Sequence, residues 1–148
     1  LLHEGYADIT LLDIAEPALA LTRTRLGAAA AGIRTLAADV LDAPLPPAGY
    51  DVWHDRAVFH FLTSAEQRRA YTRLVAQSVK PGGHVIVATF GPEGPTQCSG
   101  LDTVRYDADT LHDEFGSTYE LVESSKELHE TPFGTVQQFV YCYCVKLA

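Results

Sequence analysis

Hydrophobic residues along the chain fall into short continuous blocks that alternate with stretches of helical period. Ile9 to Ile14 (ITLLDI) is an apolar run closed by an acid, the pattern of a buried parallel strand and not of a half-exposed alternating one. Glu16 and Pro17 open a helix, with Leu19, Leu26 and Ala30 at helical spacing, and Gly32 ends it. Ile33 to Ala38 is a second strand, followed by Asp39, and Asp42 to Gly49 (DAPLPPAG) is a loop by its prolines and glycine. Tyr50 to His54 forms the third strand. Ser64 with Gln67 three residues on makes a capping box, and Tyr71, Leu74, Val75 and Val79 give the following helix its apolar stripe. Lys80-Pro81-Gly82-Gly83 stops that helix before the most hydrophobic strand, His84 to Phe90. After the Gly91–Leu101 loop, Asp107 caps a short helix that ends at Gly116. Tyr119 to His129 and Thr135 to Leu147 flank the turn Thr131-Pro132-Phe133-Gly134 and predict an antiparallel hairpin.

This alternation predicts an α/β fold: a Rossmann-like, doubly wound, mostly parallel sheet with right-handed crossovers and a C-terminal antiparallel hairpin. A length of 148 residues, 47% hydrophobic and 20% charged, predicts one domain spanning residues 1–148 with a core of its own. The net charge of −8 repels phosphate backbones and anionic lipid, which argues against nucleic-acid and membrane roles. No apolar run approaches the ~18–20 residues that cross a bilayer, and no basic-then-apolar export signal opens the sequence. Cys98, Cys142 and Cys144 have no C-x-x-C spacing and encode neither a disulfide framework nor a metal site. Residues 142 and 144 alternate on one strand face as small packing groups. Together these features point to a cytoplasmic location.

In an open parallel sheet, ligands bind beyond the carboxyl ends of the strands, which singles out Asp13, Asp39, His54-Asp55-Arg56 and Thr89-Phe90-Gly91. A carboxylate at Asp13 suits a ribose diol, since it accepts from both hydroxyls; an acid before a helix is equally a partner for the helix dipole. Arg56 suits a substrate carboxylate or neutralises Asp55, and His54 reads as an interior histidine or a ligand contact. Trp53, Phe59 and Phe61 line an apolar pocket or belong to the core.

The segments ITLLDIAEPAL, IRTLAADVLD, YDVWHDRAVFHFL and VKPGGHVIVATF, in this order and followed by the hairpin, resemble the class I S-adenosylmethionine-dependent methyltransferases of the small-molecule-type branch. The resemblance implies S-adenosyl-L-methionine as cofactor and a small-molecule methyl acceptor. Asp13 would hold the ribose hydroxyls, Ile14 would pack on the adenine, and Asp39 with the Val40 backbone would read the adenine edge. His54 would join the cofactor site, and the end of the YDVWH strand would face the methyl group. His60 would be the base with Asp55 second, Arg56 and Phe59 would contact the acceptor, and Lys80–Gly83 would be a structural turn. The family's glycine-rich loop has no counterpart in this sequence, which also contains no methionine. The first strand and that loop are therefore expected before Leu1, and the strands ending at Asp13 and His54 are expected to self-associate through open edges. Two other functions fit an acid after a strand: a non-catalytic Rossmann-like binding module, and a nicotinamide-dependent oxidoreductase, which lacks its Tyr-x-x-x-Lys pair here.

Overall fold

The computed structural model describes residues 1–148, and it divides the chain into two compact units, Leu1–Pro44 and Leu45–Ala148, where composition predicts one domain. In the first unit, β1 (Ile9–Asp13) and β2 (Ile33–Ala37) pair in parallel through α1 (Glu16–Leu26) and a 3₁₀ turn, Gly27–Gly32. Pro17 in the first turn of α1 costs no intrahelical bond, and Arg23 ties α1 to β2 by donating to Thr35 Oγ1 (2.5 Å) while pairing with Glu16 (2.7 Å). The helix is shorter than its apolar spacing predicts because Gly27, at φ 56°, ends it. Residues of β1 are half-buried and not fully buried as expected: a two-stranded sheet backed by one helix covers them only in part, and Leu19 is the one fully covered residue of α1.

The second unit is built on a four-stranded mixed sheet in the order β3 (Tyr50–Arg56), β4 (Val79–Phe90), β8 (Val136–Lys146), β7 (Tyr119–Glu130). β3 and β4 are parallel, joined by α2 (Ala65–Ser78), and the other ladders are antiparallel. The expected capping box forms, with Ser64 Oγ accepting from Gln67 N (3.1 Å), and the expected cap Asp107 makes a second one by accepting from Thr110 N (2.9 Å) at the start of α3 (Ala108–Phe115). α2 ends at Ser78, so Val79, expected in its apolar stripe, opens β4 instead, and Lys80–Gly83, expected as the turn before that strand, lies within it as a bulge opposite β3, where register jumps from Tyr50↔Val79 to Val52↔His84. Glycine is required there. A Cβ on Gly83 would stand 2.6 Å from Val79 Cγ1, and Gly82 has a φ of 73°. A two-residue hairpin, β5 (Gln97–Cys98) with β6 (Leu101–Asp102), interrupts the predicted loop after β4.

Side chains alternate across the sheet, so Trp53, Asp55, Val85, Val87, Val140, Cys142 and Cys144 share one face, packed with Tyr71 and Val75 of α2 and Leu111 and Phe115 of α3. This is the core. Burial pushes the Cys142 thiol up to about 12 and the Cys144 thiol up to about 11, keeping both as packing groups. No helix is long and apolar enough to cross a membrane.

Candidate functional site

Asp13 ends β1, in register with Ala37 of β2, and Ala38 N–H donates to its carbonyl (3.1 Å). One carboxylate oxygen, Oδ1, accepts from Ala15 N (2.8 Å), a local turn that leads into α1. The side chain is exposed and its second oxygen is open to solvent. Ile14 beside it is 74% exposed, an unusual setting for isoleucine. Asp39, two residues past the end of β2, caps the 3₁₀ turn Val40–Asp42 by accepting from Leu41 N (2.9 Å) and is likewise exposed. Asp13, Ile14, Asp39 and Val40 therefore stand together at the carboxyl end of one parallel strand pair, and two carboxylates retain free oxygens there.

At the end of β3 the expected residues separate by face. Asp55 points into the core, where its Oδ2 accepts from the Tyr71 hydroxyl (2.5 Å) and its Oδ1 from Val58 N (3.0 Å); Trp53 Nε1 in turn donates to the Tyr71 oxygen (3.0 Å). Burial outweighs these hydrogen bonds and raises the Asp55 pKa to about 6. Tyr71 is pushed well above the ordinary phenol range, first by burial and then by the Asp55 charge. Phe59 is fully buried, with ring centroids 5.0 Å from Tyr71, 5.6 Å from Tyr106 and 5.7 Å from Phe115. The predicted substrate contact is thus a core aromatic, because the 3₁₀ turn Phe59–Phe61 points it under α2 and α3. His60 is also fully buried, stacked on Phe90 at 4.1 Å, and neither ring nitrogen has a partner. Desolvation holds its pKa down at about 4, so the predicted base is neutral and shut away from solvent.

Arg56 does not neutralise Asp55, since consecutive strand residues face opposite ways. Instead its Nε donates to the Tyr141 hydroxyl (3.0 Å), its guanidinium lies 4.6 Å from the Phe139 ring centroid, and Glu127 stands 3.8 Å away. His54 is exposed on the same face, its pKa lowered by partial burial and by the Arg56 charge. Tyr71, Tyr141, Phe139 and Glu127 carry no sequence motif. Only the strand pairing Arg56↔Ala88↔Tyr141 brings residues 85 positions apart into contact.

The profile of a family described as "Methyltransferase domain" matches residues 1–83. The chain belongs to this methyltransferase domain family. An uncharacterized methyltransferase of Mycobacterium tuberculosis is 40% identical over 82 residues, 55% of this chain, and a counterpart in Mycobacterium bovis matches equally. The chain spans 39% of the length of these relatives. Among solved structures, the methyltransferase domain resembles Burkholderia thailandensis 1,6-didemethyltoxoflavin-N1-methyltransferase, crystallised with 1,6-didemethyltoxoflavin and S-adenosylhomocysteine. The TM-score is 0.77 at 18% identity, covering 99% of this chain and 64% of the other. A SAM-dependent methyltransferase from Methanosarcina mazei gives a TM-score of 0.73 at 14% identity, with 93% and 81% covered. The fold is the Rossmann-like α/β fold of these proteins.

Proposed function

We propose that this methyltransferase domain transfers a methyl group from S-adenosyl-L-methionine to a small-molecule acceptor. The observation that carries the reading is the pair of exposed carboxylates, Asp13 and Asp39, at the carboxyl ends of paired parallel strands, with exposed Ile14 beside them. These residues fit the cofactor: Asp13 has an unengaged oxygen for a ribose hydroxyl, Ile14 offers an apolar surface for adenine, and Asp39 with the Val40 backbone offers an acceptor and a donor for the adenine edge. When bound, S-adenosyl-L-methionine supplies an electrophilic methyl group on a sulfonium. His54, read with the cofactor residues, is exposed on β3, its pKa lowered by partial burial and by the Arg56 charge. Methyl transfer depends chiefly on in-line placement, and the residues of β3 contribute by holding the end of that strand rigid. Asp55 and Phe59 act from within the core, through Tyr71 and the aromatic cluster. Arg56, fixed by Tyr141 and Phe139, is the charged group suited to a carboxylate of the acceptor.

Asp13→Ala is expected to weaken S-adenosyl-L-methionine binding by about 1.5–3 kcal/mol, the range for a hydrogen bond to a charged group, with the fold unchanged. Isothermal titration reads this, and equal affinity in the two proteins would remove the ribose assignment. S-adenosylhomocysteine release across an acceptor panel separates an enzyme from a cofactor-binding module. The reading also includes a cytoplasmic location and self-association. β3 is an edge of its four-stranded sheet, and Val52 on it is 43% exposed, a template for pairing. Light scattering over a range of concentrations should show a mass that rises with concentration; a constant monomer mass rejects the association.

A further inference from the structure

His60 is the residue that the methyl-transfer reading leaves unexplained. A buried imidazole with two unpartnered nitrogens is costly, because each loses its bond to water and gains none in the fold. Its ring neighbours are aromatic: Phe90 stacked at 4.1 Å, Phe61 edge-on at 4.5 Å, and Phe139 at 6.4 Å, with the Arg56 guanidinium over the Phe139 ring. The segment between β4 and α3 reaches this residue at its backbone, where Val104 N donates to His60 O, and its Cys98 packs on the cluster that holds Phe90 and Phe139.

That segment is knit to itself. β5 pairs with β6, Gln97 Nε2 donates to Asp102 (2.8 Å), Thr103 donates to Thr96 O from its amide (2.9 Å) and to Pro95 O from its hydroxyl (2.9 Å), and Arg105 Nη1 donates to Pro92 O (3.0 Å). Its roots are firmly held. Gln138 accepts from Gly91 N (2.9 Å) with its carbonyl and from Glu93 N (3.1 Å) with Oε1, and donates to Glu93 Oε2 (2.9 Å); Tyr106 N donates to Phe90 O (2.9 Å). Gly94 lies so close that a Cβ would stand 2.8 Å from Gln138 O. Between these roots, one backbone bond, Val104 N to His60 O (2.8 Å), and the Cys98 side chain against Ala88, Phe90 and Phe139 attach the segment to the body. Thr96, Gln97 and residues 99–102 are exposed. A piece stiff within itself, firmly rooted and thinly attached in between can swing as one unit.

We propose that residues 95–104 are a flap over a binding pocket walled by His60, Phe61, Phe90 and Phe139, and that the pocket takes a small planar ring bearing an O–H or N–H donor. Aromatic walls favour a flat apolar ring. A neutral imidazole offers a lone pair, so the complementary group is a donor, and filling that bond removes the cost of the orphan nitrogen. Calling this ligand the methyl acceptor rests on the methyl-transfer reading, whereas the flap and its pocket stand without it.

Amide exchange in the full chain tests the flap, and phenol tests the pocket. The Val104 amide, whose bond to His60 O breaks as the flap swings, is expected to exchange about 100-fold faster than those of Val87 and Ala88, at a rate insensitive to low urea, the mark of a local opening. Val104→Pro, which deletes the bond to His60 O, should speed reaction of Cys98, the cysteine not buried, with a thiol reagent about tenfold. Phenol should shift the His60 ring resonances saturably, about tenfold more tightly than toluene, which has the same ring without the hydroxyl. Exchange of Val104 only through global unfolding, at the rate of the β4 amides, would overturn the flap. Equal effects of phenol and toluene on His60, or none from either, would overturn the pocket. Cofactor titration enters neither readout, so failure of the methyl-transfer reading would show separately.

Discussion

Phe59→Ala is expected to destabilise the second unit by about 3–5 kcal/mol, the range for truncating a fully buried phenylalanine. Its ring touches Tyr71, Tyr106 and Phe115, so deletion opens a cavity between α2, α3 and the end of β3 that these rigid aromatic neighbours cannot collapse to fill. Urea unfolding followed by the emission of Trp53, the one tryptophan of the chain, reads the effect within the right unit. The same variant separates two roles. A substrate-contacting phenylalanine would raise KM and leave the urea midpoint in place. A core phenylalanine moves the midpoint first.

The second large effect is a pH dependence. The unfolded chain holds the Asp55 proton with a pKa near 3.8, and the folded chain holds it more tightly, at about 6, because burial disfavours the carboxylate. Folding therefore takes up a proton between these values. The stabilising contribution is fully present below pH 3.8 and is lost as pH rises through 6. At about 1.4 kcal/mol per unit, the difference by pH 7 is about 3 kcal/mol. Asp55→Asn removes the titration, so the stability of variant relative to parent should climb across this window and level off above it. Taking the difference between the proteins cancels the other carboxylates, among them Asp107, whose lowered pKa shifts stability the opposite way. A difference that is flat from pH 4 to 7 would show that Asp55 does not carry its proton into the fold. Undiminished turnover in the Asp55→Asn protein would further show that Asp55 works through the Tyr71 network and not as a base.

Much of the site was legible because its first half is local. A carboxylate at the last position of an apolar run, followed by a proline-started helix, describes Asp13 completely, and pairing of β1 with β2 adds only that Asp39 stands beside it. Ser64–Gln67 and the Asp107 cap were legible for the same reason: a cap is a contact between residues three apart. The second half was not. His54, Asp55 and Arg56 form one motif in the chain, yet Asp55 meets Tyr71 in the core while Arg56 meets Tyr141 and Phe139 on the opposite face. Alternation along a strand says that neighbours part company; it does not say which face the helices will cover.

By itself the sequence determined the kind and order of the main helices and strands, the helix starts, the antiparallel terminal hairpin and the acids at strand ends. Each follows from backbone preferences and from side-chain period over a few residues. The tertiary structure alone decided that Lys80–Gly83 is a bulge inside β4, that the chain packs as two units, and that Phe59 and His60 are core residues. These outcomes depend on which strand lies beside which and which face receives α2 and α3. Burial is a property of that assembly. It sets the Asp55 proton, the neutrality of His60 and the partners of Arg56, because desolvation and cross-strand contact come into being only when distant segments meet.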